Sequence, residues 1–230
     1  MDLNLNPFFK KYENISAAAD TLFNRVKNKH PECVKCEIGC CDCCYALFDL
    51  TLIEAIFINH HFNQKFEGKR KDTLIEKAND ADRSIYKIKK NAYKASQEGK
   101  TELEILTDIA GKRVRCPLLN DQNKCDIYEF RPITCRLYGI PAAINGEGHT
   151  CGKSGFKKGN PYPTVNIDRI YQKLYEISNE LVRELKSKYT KLSEVLVPIS
   201  MALLTDYNET YLGIKQDSKG ETPPGSNISA

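Results

Sequence analysis

The sequence predicts a mainly α, single-domain protein with an irregular, turn-rich region stapled by cysteines and metal, and three observations carry that reading. Three long segments repeat their apolar residues at three- and four-residue steps, the period of a helix with one buried stripe. The stretch from Arg113 to Tyr162 is instead dense in Pro, Gly, Asn and Asp, which favour tight turns and a few short extended pieces over long elements. Finally, of 10 cysteines, six crowd between Cys33 and Cys44, and Cys116, Cys125, Cys135 and Cys151 return later. At 230 residues and 41% hydrophobic content the chain can bury a core as one domain over about 1–212.

The first helix is expected from Phe8 to about Asn28, with Phe8, Tyr12, Ile15, Ala19, Leu22 and Val26 on one face. The cysteine run that follows contains Pro31 and Gly39 and has no helical period, so it reads as a loop shaped by what it binds. Thr51 and Glu54 form a capping box that opens a second helix reaching about His61. Ile75, Ala78, Ala81, Ile85, Ile88, Ala92 and Ala95 predict a third over about 72–97, ended by Gly99. Thr101 and Glu104 cap a short helix that Gly111 terminates. The last long helix spans about 167–189, and Val197-Pro198 opens a shorter one through Met201 and Leu204. Residues 213–230 read as a disordered tail.

The chain lacks the basic start and apolar run of a signal peptide, and no segment is apolar enough to span a membrane, so a cytoplasmic protein is expected. A formal net charge of +4 with interleaved acids and bases indicates no nucleic-acid partner. In a reducing compartment a disulfide scaffold is disfavoured, and adjacent pairs such as Cys40-Cys41 are too close to bridge easily.

Crowded thiolates repel, and a bound cation is the simplest reason to gather them. Cys33-x2-Cys36 and Cys40-x2-Cys43 are chelate-forming pairs that need completion, which Cys116, Cys125 and Cys135 supply if the turn-rich segment folds back. Zinc and iron-sulfur clusters each take four thiolates, so the cysteine count allows two such sites. Cys36-x3-Cys40-x2-Cys43 also has the spacing of the radical S-adenosylmethionine cluster motif. That motif follows the first strand of a β/α barrel, whereas this chain is helical on both sides, and the reading is set aside.

The run Cys36-Glu-Ile-Gly-Cys40-Cys-Asp-Cys43-Cys44, followed by an apolar stretch, Leu50-Thr51 and Glu54-Ala55, resembles the signature of the CxxCxxCC, or YkgJ-like, cysteine-cluster family. Cys116-Pro-Leu-Leu119, Cys125-Asp-Ile-Tyr128, Arg131-Pro132 and Cys135-Arg136 match its later motif in order and approximate spacing, over roughly residues 36 to 136. The resemblance implies a domain chelating zinc or iron, including a [4Fe-4S] cluster. The ligands it implies are Cys36, Cys40, Cys43, Cys44, Cys116, Cys125 and Cys135, with Cys151 on a looser match; Cys33 and Cys41 depart from the pattern. A relative, flagellin lysine methylase, carries a similar cluster, so a redox or protein-modifying enzyme is the alternative, although no methyl-donor site is identifiable here.

The remaining polar residues have plainer roles. Arg113, Arg115, Arg131 and Arg136 compensate thiolate charge, Tyr128 and Tyr138 pack around the site, and Glu54 is a cap. His60 and His61 form a polar helix end, and His149 lies in a Gly-rich loop.

Overall fold

The computed structural model describes residues 4–37 and 39–214. Among these, seven α-helices and five very short strands confirm the mainly α, single-domain class. No helix of the described residues is long and apolar enough to cross a membrane.

Helix α1, Asn6–Lys29, carries Pro7 in its first turn, where a missing N–H has no helical partner, and buries Phe8, Phe9, Tyr12, Ala19 and Val26. Helix α2, Leu52–Lys65, is capped by the expected Thr51/Glu54 box and is buried on almost every face. Such all-round burial makes it the central helix of the fold. It separates two packed cores. Ile53, Ile56 and Phe57 join Phe9, Tyr12, Ile133, Leu174 and Leu181 on one side. Ala55, Ile58 and Phe62 join Leu74, Ala78, Leu118, Ile127 and Ala202 on the other.

Helix α3, Gly68–Gln97, begins four residues before the expected start; of its expected stripe only Ala78 and Ala81 are buried, joined by Leu74, which the stripe did not include. Helix α4, Glu102–Ala110, carries the second expected capping box. Helix α5, Ile133–Leu137, holds Cys135 and is a short helix inside the stretch expected to form turns and short extended pieces instead of long elements. Helix α6, Ile167–Glu184, is capped by Asn166, whose side chain accepts from the Arg169 N–H. It stops short of the expected residue 189 as the chain turns through Lys186 at φ +49°.

Strands β1, Asp49–Leu50, and β5, Val197–Pro198, pair antiparallel, Leu50 opposite Val197. Val197-Pro198 therefore forms a strand where a helix start was expected, and helix α7 covers only Ile199–Leu204. Proline fits here because it ends a two-residue edge strand and sits at the N-cap of the helix. Strands β2, Ala142–Ile144, and β3, Glu147–His149, form a hairpin around Asn145 and Gly146, and β4, Val165–Asn166, adds in parallel to β2. Both turn residues have positive φ, 52° and 80°, as a type I′ turn requires. At the C-terminal end Gly213 and Ile214 still belong to the folded body, with the Ile214 N–H bonded to Glu209 O. The rest of the expected tail, 215–230, lies outside the described residues.

The Glu54 carboxylate does more than close its own box. It is 1% exposed and accepts from the Thr51 N–H at 3.1 Å, the Thr51 hydroxyl at 3.0 Å and the Ile133 N–H at 3.1 Å. One side chain thus caps both α2 and α5. Glu54→Ala leaves these buried donors unsatisfied, and a loss of about 3 kcal/mol in unfolding free energy is expected. Burial raises the Glu54 carboxyl above its usual range. Its contribution to stability is therefore full below the unfolded value and is lost as pH rises through the folded one. Glu54→Gln keeps a neutral acceptor, so its thermal-stability deficit against wild type should shrink from about pH 4 to about pH 8; a deficit that grows would contradict the buried-carboxyl assignment.

Candidate metal centre

The first cysteine segment leaves α1 through a turn in which the Cys33 and Val34 N–H groups both bond to His30 O. A second turn closes Cys40 N–H onto Glu37 O at 2.9 Å, and a single 3₁₀ turn, Asp42–Tyr45, carries Cys43 and Cys44. The later segment docks on it through backbone: Val114 N–H donates to Tyr45 O at 3.1 Å and Cys116 N–H to Cys44 O at 2.7 Å.

Beyond Pro117 the chain doubles back. Asn120 N–H donates to Lys124 O and Asp126 N–H to Leu118 O, both at 2.9 Å. The Asn120 side-chain oxygen accepts from the Gln122 and Lys124 N–H groups, and Asn123 takes φ +57°, the local chemistry of an Asx turn. This turn returns Cys125 toward Cys116. Cys135 follows on α5, aimed by the Glu54 cap at Ile133 N–H.

As a result Cys36, Cys40, Cys43, Cys44, Cys116, Cys125 and Cys135 line one cavity of about 860 Å³. Cys116 and Cys125 border the second core and Cys36 the first, so the cavity lies where the two cores meet. Cys151 lies outside it, in a smaller cleft shared with Cys36 and Cys40. Cys33 and Cys41 line neither. Cys33 is buried under Gly155 and its thiol donates to Glu32 Oε1 at 3.2 Å.

The thiols are electrostatically linked. Hydrogen bonds from Cys135 and then Cys44 hold the Cys43 thiol well below its usual range. Their own thiols are correspondingly raised, by that bond to Cys43 and then by burial. Burial pushes Cys116 up to about 12 and Cys36 up to about 11, and raises Cys125. A cation binding here would displace the protons that the raised thiols hold.

Among the described residues no group of three or more His, Cys, Asp or Glu side chains stands in the geometry that holds a metal ion. The thiols share a cavity without being drawn to one point. The donor set nevertheless suits a thiophilic metal, because seven cysteines and none of the four histidines line the cavity.

Arg131 favours the thiolate form at Cys36, Cys43 and Cys125, lies over the Tyr128 ring at 3.9 Å, and stands 3.7 Å from Asp20. Arg136 acts differently from the expected thiolate counter-charge. Its guanidinium donates to Asp20 at 2.6 Å, to Arg131 O at 2.9 Å and to Glu129 O, clamping α5 to α1. Arg113 pairs with Asp42, and Arg115 binds the Tyr45 hydroxyl and two carbonyls. His60 and His61 pack against Phe9, and His61 stacks on Phe130 at 3.8 Å, while His149 is exposed on β3.

Two carboxylates escaped the sequence reading. Asp42 accepts from Tyr138 at 2.9 Å and from Arg113 at 2.7 Å, and its position between Cys41 and Cys43 was the available signal. Asp20, on α1 far from any cysteine, gave none.

Fold and site together define a mainly α protein built around a cysteine-lined cavity. Compared with protein-family models, curated proteins and solved structures, the chain matches none.

Gly139 marks how closely the two segments approach: it has φ +102°, and an added Cβ would meet Cys36 Cβ at 2.8 Å. Gly39, at φ +97°, has nothing within 4 Å. Gly139→Ala is expected to cost about 3 kcal/mol and Gly39→Ala about 1 kcal/mol in thermal or denaturant unfolding; equal losses would contradict the close packing on Cys36.

Proposed function

We propose that this is a metal-binding protein of the YkgJ-like cysteine-cluster family, which chelates zinc or iron, as ions or as an iron-sulfur cluster such as [4Fe-4S], through clustered thiolates. The observation that carries the reading is the convergence of seven cysteines from two separated stretches on one cavity. Cysteines used only as small apolar core residues have no reason to face one another, and an uncompensated group of thiolates is unfavourable. Cys36, Cys40, Cys43, Cys44, Cys116, Cys125 and Cys135 are the proposed ligands around the cavity, with Cys151 beside it. Bound metal would supply charge neutralisation and, for an iron-sulfur cluster, electron transfer. The chain's own residues hold the ligand arms: Glu54 fixes α5, Arg136 ties α5 to α1, and Arg131 sets positive charge against the sulfurs. The same reading expects a cytoplasmic protein, where thiols stay reduced.

One observation favours the alternative, a redox or lysine methylase-like protein-modifying enzyme. A cavity of about 860 Å³ is in the range of organic-ligand pockets and exceeds the needs of a closed ion site. Phe48, Ile85, Val114 and Ile199 contribute apolar wall beside the thiols.

Anaerobic purification followed by metal and acid-labile sulfide analysis with an absorption spectrum tests the proposal. Iron with sulfide and a brown chromophore, or stoichiometric zinc without colour, is the expected outcome, and absence of metal would overturn it. Cys43→Ser and Cys135→Ser should each lower metal content at least twofold, whereas Cys33→Ser and Cys41→Ser should leave it unchanged. Equal content in all four variants would contradict the ligand assignment.

A further inference from the structure

The large cavity holds a cation whose donors its own walls leave unanswered. Arg131 lines the cavity, and its Nε is buried with no hydrogen-bond partner among the described residues. The other arginines of the wall are occupied. Arg136 is taken up by Asp20 and two carbonyls, and Arg115 by the Tyr45 hydroxyl and two carbonyls. Arg131 stands 3.7 Å from Asp20, whereas Arg136 holds the same carboxylate at 2.6 Å. A buried donor without a partner is costly, and such groups are ordinarily answered by protein, water or ligand.

We propose that the cavity binds a small organic oxyanion, a carboxylate or a phosphate monoester carried on an apolar body, with the Arg131 guanidinium as its anchor. This inference rests on the organic-ligand reading of the cavity given above and names the chemistry of that ligand.

The anchor is held in place before any ligand arrives. Its guanidinium lies over the Tyr128 ring at 3.9 Å. A guanidinium stacked flat on a ring keeps its N–H edge free, and that edge matches the paired oxygens of a carboxylate or phosphate. Only 21% of the Arg131 side chain is exposed, so solvent screens an ion pair formed there incompletely. Arg131 also favours the thiolate form at Cys36, Cys43 and Cys125, but it does so across space, since no sulfur accepts from Nε.

The rest of the wall selects in the same direction. Lys27 and Lys124 are exposed where they border the cavity and take part in no ion pair among the described residues. Asp20 and Glu37 are the carboxylates of the wall, and Asp20 is already paired with Arg136. Such an excess of positive side chains draws an anion inward. Phe48, Ile85, Val114 and Ile199 supply apolar wall, and a volume of about 860 Å³ is large enough for a ligand with a hydrocarbon body. A bare inorganic anion would leave that wall uncovered.

Hexanoate, hexyl phosphate and the neutral hexanamide are titrated by calorimetry into the anaerobically purified full chain, with metal and sulfide content measured on the same sample. At least one of the two anions should bind about tenfold tighter than hexanamide. The tighter anion distinguishes a carboxylate from a phosphate ester. Arg131→Gln should abolish the preference, and Arg131→Lys, which keeps the charge without the planar fork, should weaken the anion at least threefold. Lys87→Gln, the same charge change on the exposed face of α3, should leave binding unchanged. Equal affinity of anion and amide for the wild type, a comparison that needs no variant, would overturn the oxyanion site. So would no binding of any of the three at millimolar concentration, or an Arg131 variant that keeps the full preference. Bound metal without an anion preference would leave the metal-binding reading in place, and an anion preference without metal would overturn that reading alone.

Discussion

The buried Glu54 carboxylate is the interaction on which the arrangement of the chain depends. Two separate stretches carry the cysteines, and nothing covalent fixes their relative position. Glu54 supplies that link by accepting from donors at the starts of both α2 and α5. The first helix follows the N-terminal cysteine loop, and the second carries Cys135. A carboxylate with no cation against it is costly to bury, and three hydrogen bonds offset that cost. Its removal therefore affects both cysteine stretches at once. The Cys116–Cys44 and Val114–Tyr45 backbone bonds complete the same junction from the other side.

The physical state of the thiols follows from this enclosure. Burial raises Cys36, Cys116 and Cys125, whereas hydrogen bonds from Cys135 and Cys44 lower Cys43. In a tetrahedral zinc site, sulfurs about 2.3 Å from the ion stand roughly 3.8 Å from one another. Uptake of such an ion would draw its chosen sulfurs to that spacing, which no group of three among the described residues now has. Arg131 stands where a positive charge assists several thiolates together, whereas Arg136 is committed to Asp20 and two carbonyls. Sequence neighbours of the same type thus have different tasks.

Local chemistry was legible in the chain. Thr51/Glu54 and Thr101/Glu104 mark the helix starts found, because a capping box is complete within four residues. Features set by distant partners were not. Val197-Pro198 becomes a strand because Asp49 and Leu50, from a distant part of the chain, lie beside it. Helix α5 is five residues long, too short to show a period, and is held by a carboxylate from another helix. The three-residue strands β2 and β3 are short extended pieces of the expected kind, and Asn145-Gly146 is the local signal that pairs them as a hairpin. The cysteine spacing indicated that two segments would meet, and among the described residues Cys33 and Cys41 line neither cavity. Spacing is silent, however, on which sulfurs share a space, because that depends on turns at Gly39 and Asn123 and on the docking of residue 139 against Cys36.

The most direct test of the central claim is X-ray absorption at the metal edge of the anaerobically purified protein. The account predicts a first shell of sulfur alone at about 2.3 Å, the usual distance to thiolate, because the cavity wall offers seven thiols and no histidine. A shell dominated by nitrogen or oxygen, or no bound metal to measure, would contradict it.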